Sequence, residues 1–361
     1  QVQVTLTGAN SASSEVEAVP VSYTLTAMPA QDGVSQALSR LTFGATPELY
    51  SRVRAIGFAN YVEEQLNPDS INDAAFDAMN PTAILAPTES NGNTLLRKLV
   101  HYDIAHAAFS EKQLQNVMGH FWANHFSVSA QKPGTHYQVG AHEFDTIRPH
   151  VLGRFSDMLK AAVLHPAMLL YLDQFQSVGP NSRFMQMRRR RQQQGRGPQG
   201  LNENLAREIF ELHTLGVDGG YSQDDVTELA RALTGWTISG IRRAARFLED
   251  KPHGAAYLGP AHEPGSRQIM GRSYRDTGAD QAVAVLDDLA THPSTAKFIA
   301  TKLARHFAGD EPPPSLVSKL EKDFLATGGD LASLTQTLVE APEVWTPGPV
   351  KYRQPFEWLV S

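Results

Sequence analysis

Between Leu201 and Trp236 the chain reads LNENLAREIFELHTLGVDGGYSQDDVTELARALTGW, and the first thirteen residues carry two Asn, three Glu, one Arg and one His among apolar anchors. On a helix advancing about 100° per residue, Glu203, Asn204, Arg207, Glu208 and Glu211 fill one arc of about 140°, with Leu205, Ala206, Ile209, Phe210 and Leu212 opposite. Glu208 and Glu211 stand three apart, close enough for like-charge repulsion to raise one pKa. Unequal carboxyls are what hydrolysis of a polymer, above all a polysaccharide, asks of its acid and base. In that reading Glu208 is the proton donor and Asp173 or Glu211 the base, with His125 a single acid or base near a helix end. Trp122, Tyr171 and Trp236 are the sugar platforms, and Asn124, Asn204 and Arg207 the polar substrate contacts.

The same inventory suits a second chemistry. His125, Glu208, Glu211 and His213 form a mixed imidazole–carboxylate set for a divalent metal such as manganese, iron or zinc. His213 lies about 160° from Glu211 around a regular helix, so it joins only if the helix has already ended. In MGHFWANHFSVS, His120 and His125 are five apart, about 140° around a helix, and do not share a face. No HExxH pair occurs in the chain. A third expectation is a non-enzymatic assembly or binding protein, in which the polar arc is a buried network that holds helices in register. Simpler roles are assigned nearby: Asn202 caps the polar helix, and Ser222 with Asp225 resembles a capping box that comes after the Asp218-Gly219-Gly220 turn.

Elements must position these groups, and bulk properties bound what they can be. The chain has 361 residues, 41% hydrophobic and 19% charged, with a net charge of -6 and no cysteine. Absence of cysteine excludes disulfides, thiolate catalysis and cysteine-ligated metals. The acidic balance gives no reason to expect nucleic acid, and the Arg188 to Arg191 run lacks interleaved stacking aromatics. No membrane span is expected, because the best apolar stretch, Met158 to Leu172, is short and interrupted by Lys160 and His165-Pro166. The start, QVQVTLTG, has no basic end or apolar signal core, so the chain was either never exported or has lost a targeting segment.

Residues 1–29 alternate at period two and predict an N-terminal β segment, or the remnant of an upstream domain. From there to residue 361 the pattern is helical, which predicts a mainly α protein with one large multi-helical domain over 30–361. Helices are expected over Ser35 to Leu41, Thr46 to Gln65 with a joint at Gly57, Asn91 to Phe109, Glu111 to His125 and Phe144 to Leu164. A new element should begin at His165-Pro166. Further helices are expected over Asn202 to His213, Ser222 to Leu233, Ala279 to Leu289, Thr295 to Phe307, Ser315 to Thr327 and Asp330 to Glu340. Residues 176–200 read as a variable exposed loop, and 237–276 as a small β excursion.

Several of these segments, FWANHFSVS, IRPHVLGRFSDMLKAAVLHPAMLLYLD, LNENLAREIFELHTLGVDGGYSQDDVTELARALTGWT and LATHPSTAKFIATKLARHF, closely resemble the DUF1800 family, a bacterial domain of unknown function. With LSRLTFGATPELYSRVRAIGFANYVEEQL, the resemblance runs from about residue 34 onward. It implies an exported or periplasmic protein that accompanies a sulfatase-like exported partner. Matching positions include Trp122, Asn124, His125, Arg148, His165 and Asp173, together with the polar residues of 202–213 and Trp236. Where members commonly have Asn after YLD, this chain has Gln174, and residues 179–198 look like a lengthened loop.

Overall fold

The computed structural model describes residues 2–6, 19–23, 33–79, 92–190, 200–239, 254–345 and 354–360. The domain is mainly helical with a small antiparallel β region in mid-chain. Its helices are α1 (Gly33–Leu41), α2 (Pro47–Ile56), α3 (Phe58–Gln65), the single turn α4 (Ala74–Asp77), α5 (Gly92–Phe109), α6 (Gln113–His125), α7 (Phe155–Val163) and α8 (Pro166–Tyr171). They continue as α9 (Arg183–Arg190), α10 (Asn204–Glu208), α11 (Gln223–Leu233), α12 (Ala279–Ala290), α13 (Pro293–Ala308), α14 (Pro314–Thr327), α15 (Leu331–Glu340) and α16 (Pro355–Val360). Strands β1 (Val2–Leu6) and β2 (Val19–Tyr23) pair with each other. In mid-chain, β3 (Trp236–Ile238) pairs with β4 (Ala255–Tyr257) and β5 (Arg267–Ile269) with β6 (Arg272–Tyr274), each pair antiparallel.

Helix starts follow from side chains that take up orphaned amides. Thr46 accepts from the Leu49 amide at 3.1 Å with Pro47 in the first turn, and Gly57 at φ 86° makes the joint between α2 and α3. Two His-Pro pairs use one device: the ring Nδ1 of His165 accepts from the Ala167 amide and that of His292 from the Ser294 amide, each at 3.1 Å. Ser222 and Asp225 form the reciprocal capping box expected of them.

Trp122, Phe126, Phe155, Phe210 and Phe324 are fully buried in the main core, where α6, α7, α10, α11, α12 and α13 meet. A short bridge fixes the entry to α7 beside α15, with the Phe155 amide donating to the Gly329 carbonyl and the Leu331 amide to the Gly153 carbonyl, each at 2.8 Å. A smaller cluster of Phe76, Leu95, Leu99, Tyr102 and Phe144 lies along α5.

Three expectations are corrected. The helix expected over Phe144 to Leu164 is broken: His142–Ile147 is π-helical, Arg148–His150 is a tight turn around Pro149, and α7 begins only at Phe155. The exposed loop expected over 176–200 contains helix α9, none of whose residues is buried; residues 191–199, including Arg191, lie outside the described residues. The helix expected to run to His213 changes at Glu208 into a π segment, Ile209–His213. A π turn closes i→i+5 and advances fewer degrees per residue, so the face rotates. Leu212, expected opposite the polar arc, is 47% exposed, while His213 is buried.

The turn after that segment depends on Gly216, which adopts φ +80° and would carry a Cβ only 2.8 Å from the Phe298 ring. Left-handed backbone plus overpacking predicts a loss of about 2–4 kcal/mol for Gly216→Ala. Chemical denaturation should show it as a lower midpoint at unchanged slope, and an unchanged midpoint would contradict this packing.

Candidate functional site

A dense polar cluster lies between α5, α6 and the first π segment. Asp103 and His106 are three apart on α5, and Asn116 and His120 four apart on α6, so each pair shares a helix face. Glu143 comes from the π segment, and Arg148 from the turn after it. The Arg148 guanidinium stands among them: Nη2 donates to Asp103 Oδ1 at 2.8 Å and to Glu143 Oε1 at 2.7 Å. Nη1 donates to Asn116 Oδ1 at 2.6 Å and to His106 Nδ1 at 3.2 Å, and Nε to Glu143 Oε1 at 3.1 Å. Gly119 allows this approach, since a Cβ there would lie 3.3 Å from the arginine side chain. The Phe144 ring lies 4.4 Å from the guanidinium carbon.

His120 Nε2 lies 3.1 Å from Asp103 Oδ1, and the ligand atoms of Asp103, His120 and Glu143 lie within 4.8 Å of one another. All three residues are half-buried. Phe356 of α16 stacks on the His120 ring at 4.5 Å, and Phe43 meets it edge-on at 4.9 Å. Burial pushes the Asp103 carboxyl up, but the His120 hydrogen bond and the Arg148 charge outweigh it and hold it below its ordinary value. Burial, then the Arg148 charge, lowers His106 to about 3, so its neutral ring accepts from Arg148. This Asp/His/Glu triad is compatible with a divalent metal.

The residues singled out on the polar helix divide into two groups. Glu203 and Arg207 are spent on α11: Glu203 accepts from Thr227 Oγ1 at 2.8 Å and Gln223 Nε2 at 2.9 Å, and Arg207 donates to Gln223 Oε1 at 2.9 Å. Asn202 accepts the Asn204 amide at 2.9 Å, and Asn204 itself is exposed. The carboxylates of Glu208 and Glu211 make no hydrogen bond among the described residues. Burial, then the Glu211 charge, raises the Glu208 carboxyl above its ordinary value.

His125 and His213 come together away from those glutamates, so the metal set His125, Glu208, Glu211 and His213 is not gathered as a ligand group in the described residues. The rings lie 5.8 Å apart, with His125 Nε2 donating to the His213 carbonyl at 3.1 Å and His213 Nδ1 to the His125 carbonyl at 3.2 Å. Asp173 pairs with Lys132 at 2.8 Å and adopts φ 57°, a left-handed backbone that Asp tolerates. Tyr171 is half-buried and accepts Lys132 through its carbonyl at 2.6 Å. Trp122 is fully buried and offers no face to a polymer; Trp236 is half-buried against Tyr257, and Asn124 is exposed. Gln174 is buried, with Nε2 donating to the Leu233 carbonyl at 2.8 Å.

Asp103, His106, Asn116 and Glu143 were missed in the sequence. The signal that could have found Asp103 and His106 is HYDIAHAAF, which sets these two on one helix face among Ile104, Ala105, Ala107 and Ala108. A family model described as protein of unknown function (DUF1800) matches residues 36–361. The chain belongs to the DUF1800 family. No curated protein and no solved structure matches it. Among the described residues of this DUF1800 chain, no helix is long and apolar enough to cross a membrane.

Burial holds His125, His142 and His213 neutral, His125 well below its ordinary value, His142 at about 4 and His213 at about 3. Folded values below the unfolded value of about 6.5 mean that the unfolded chain binds more protons at mildly acidic pH. The stability they contribute is complete above the unfolded value and is lost as pH falls toward the folded values. Between about pH 7 and 5 each should cost on the order of 2 kcal/mol. Denaturation curves across that window should show this fall with proton uptake on unfolding, and a flat profile would refute the neutral assignment.

Proposed function

We propose that the chain is a metal-dependent protein that holds a divalent transition metal on Asp103, His120 and Glu143. The observation behind this reading is the convergence of three ligand atoms within 4.8 Å from three separate elements. One imidazole and two carboxylates suit manganese, iron or zinc. Arg148 is the test of fit, because a guanidinium already neutralises both acids. It uses one oxygen of each, and Asp103 Oδ2 and Glu143 Oε2 accept no hydrogen bond among the described residues. The arginine therefore supports the carboxylates from one side and leaves each a second oxygen to give, as partners behind metal ligands commonly do.

A divalent cation bound there supplies Lewis acidity and lowers the pKa of a bound water, which suits hydrolysis. The chain's own residues orient that chemistry. Arg148 fixes the carboxylates, neutral His106 accepts from the arginine, and Phe356 and Phe43 limit water around His120. The exported location and sulfatase-like partner carried by the family resemblance belong to this proposal.

Elemental analysis of chelator-free protein should find one transition metal per chain, lost in Asp103→Asn and Glu143→Gln chains of native circular dichroism. At a free metal concentration about a hundredfold above Kd, the metal should stabilise the chain by about 2.7 kcal/mol. A chain that carries no metal and gains no stability from zinc, manganese or ferrous iron would end this reading.

A second reading, hydrolysis of a polysaccharide or other polymer by Glu208 and Glu211, is favoured by the raised Glu208 carboxyl and the absence of hydrogen bonds to either acid among the described residues. A raised carboxyl penalises the folded state increasingly as pH rises through its titration, and the penalty is complete above the folded pKa. Glu208→Gln should therefore be more stable than the parent near neutral pH, with the difference closing toward about pH 4, while losing any release of reducing ends from a glycan panel. No release by the parent chain would sink the second reading.

A further inference from the structure

Lys302, on α13, takes no part in either proposed chemistry, yet its amine is held with unusual definition. The reciprocal bonds between His125 and His213 commit His125 Nε2 as a donor to the His213 carbonyl. That commitment assigns the tautomer and leaves a lone pair on Nδ1, and Lys302 Nζ lies 2.8 Å from it. No carboxylate pairs with Lys302 among the described residues. The Phe298 ring stands 5.4 Å from Nζ. A half-buried lysine, without a counter-ion among the described residues and held by a neutral acceptor whose own orientation is locked, has the arrangement that activates an amine nucleophile.

We propose that Lys302 is a reactive amine that condenses with a small aldehyde or ketone. Its nitrogen lone pair forms the C–N bond to the carbonyl carbon as the carbonyl oxygen takes up a proton. The carbinolamine then loses water, so amine plus carbonyl becomes imine plus water with no oxidant or reductant. A carbonyl compound is favoured over an acyl donor because the protonated imine keeps a cation against the Phe298 face and an N–H toward His125. An amide product would forfeit the cation.

Burial lowers the lysine to about 8. Near pH 7 it would hold roughly 300-fold more free amine than an ordinary lysine. The test is reductive labelling of the intact chain with propionaldehyde and cyanoborohydride over about pH 6–10, with peptide mass mapping as the readout. Lys302 should be labelled ahead of the exposed Lys297 and Lys322, half-maximally near pH 8, with a rate unchanged by chelator. Lys302→Arg should remove that one adduct and leave the others. Either no adduct at Lys302 in the folded chain, or labelling with the rate and pH dependence of Lys297, would overturn the proposal.

Discussion

One buried guanidinium determines how this half of the molecule is assembled. Arg148 reaches α5 through Asp103 and His106, α6 through Asn116, and the preceding π segment through Glu143. Without it, two carboxylates would be half-buried about a single histidine, and their desolvation would have no compensating charge. Removing one partner of a buried ion network typically costs about 3–5 kcal/mol, because the remaining charge stays buried. The packing around it obeys that constraint. Gly119 leaves room for the side chain, and Phe144 lies against its face. His106 must be neutral to accept from it. A metal on the free carboxylate oxygens would add to this balance without replacing the arginine, since each acid has two oxygens.

How much of this could be read in the sequence depends on the range of the interaction. Local rules worked where one helix turn decides the outcome: the Gly57 joint, the start at His165-Pro166 and the Ser222–Asp225 box are all settled within four residues. The Arg148 cluster joins residues 42 and 45 positions away in the chain, and no periodicity reveals such pairs. The polar arc of the 202–213 helix was legible as an arc, but its far end was misplaced. A regular advance per residue puts both Leu212 and His213 opposite the polar arc, and the π segment keeps His213 buried but turns Leu212 out to solvent. For His213 to join Glu211 the helix must already have ended. The partner it finds is His125 and not Glu211.

Two π segments, His142–Ile147 and Ile209–His213, bear on the buried histidines in the same way. Each carries a histidine at one end, His142 at the first residue and His213 at the last, and both rings are buried and hydrogen-bonded to backbone carbonyls. A wider turn shifts the phase of the residues after it, and in the second segment the residue displaced is Leu212, which faces solvent while His213 stays inside. Such turns are retained at functional positions often enough to make these two segments informative about where chemistry sits. The alternative, that they only accommodate packing, does not explain why each admits an ionisable ring whose neutrality costs stability in acid.

Helix α6 separates the two clusters. His120 and His125 lie about 140° apart around it, a separation readable from spacing alone. That separation excluded a shared metal site but also meant that each ring faces a different neighbour. His120 meets Asp103 beneath Phe356, and His125 meets His213 and Lys302 on the side of α13. Trp122, between them in sequence, fills the core and contacts the His125 ring at 5.4 Å. The FWANHF motif therefore serves first as a rigid wall: its aromatics hold α6 in place. Histidines stand at either end of that wall, His120 beside Asp103 and His125 beside His213, each met by a partner distant in the chain. The two glutamates that first drew attention make no side-chain hydrogen bond among the described residues, whereas Asp103 and Glu143 are both held by Arg148.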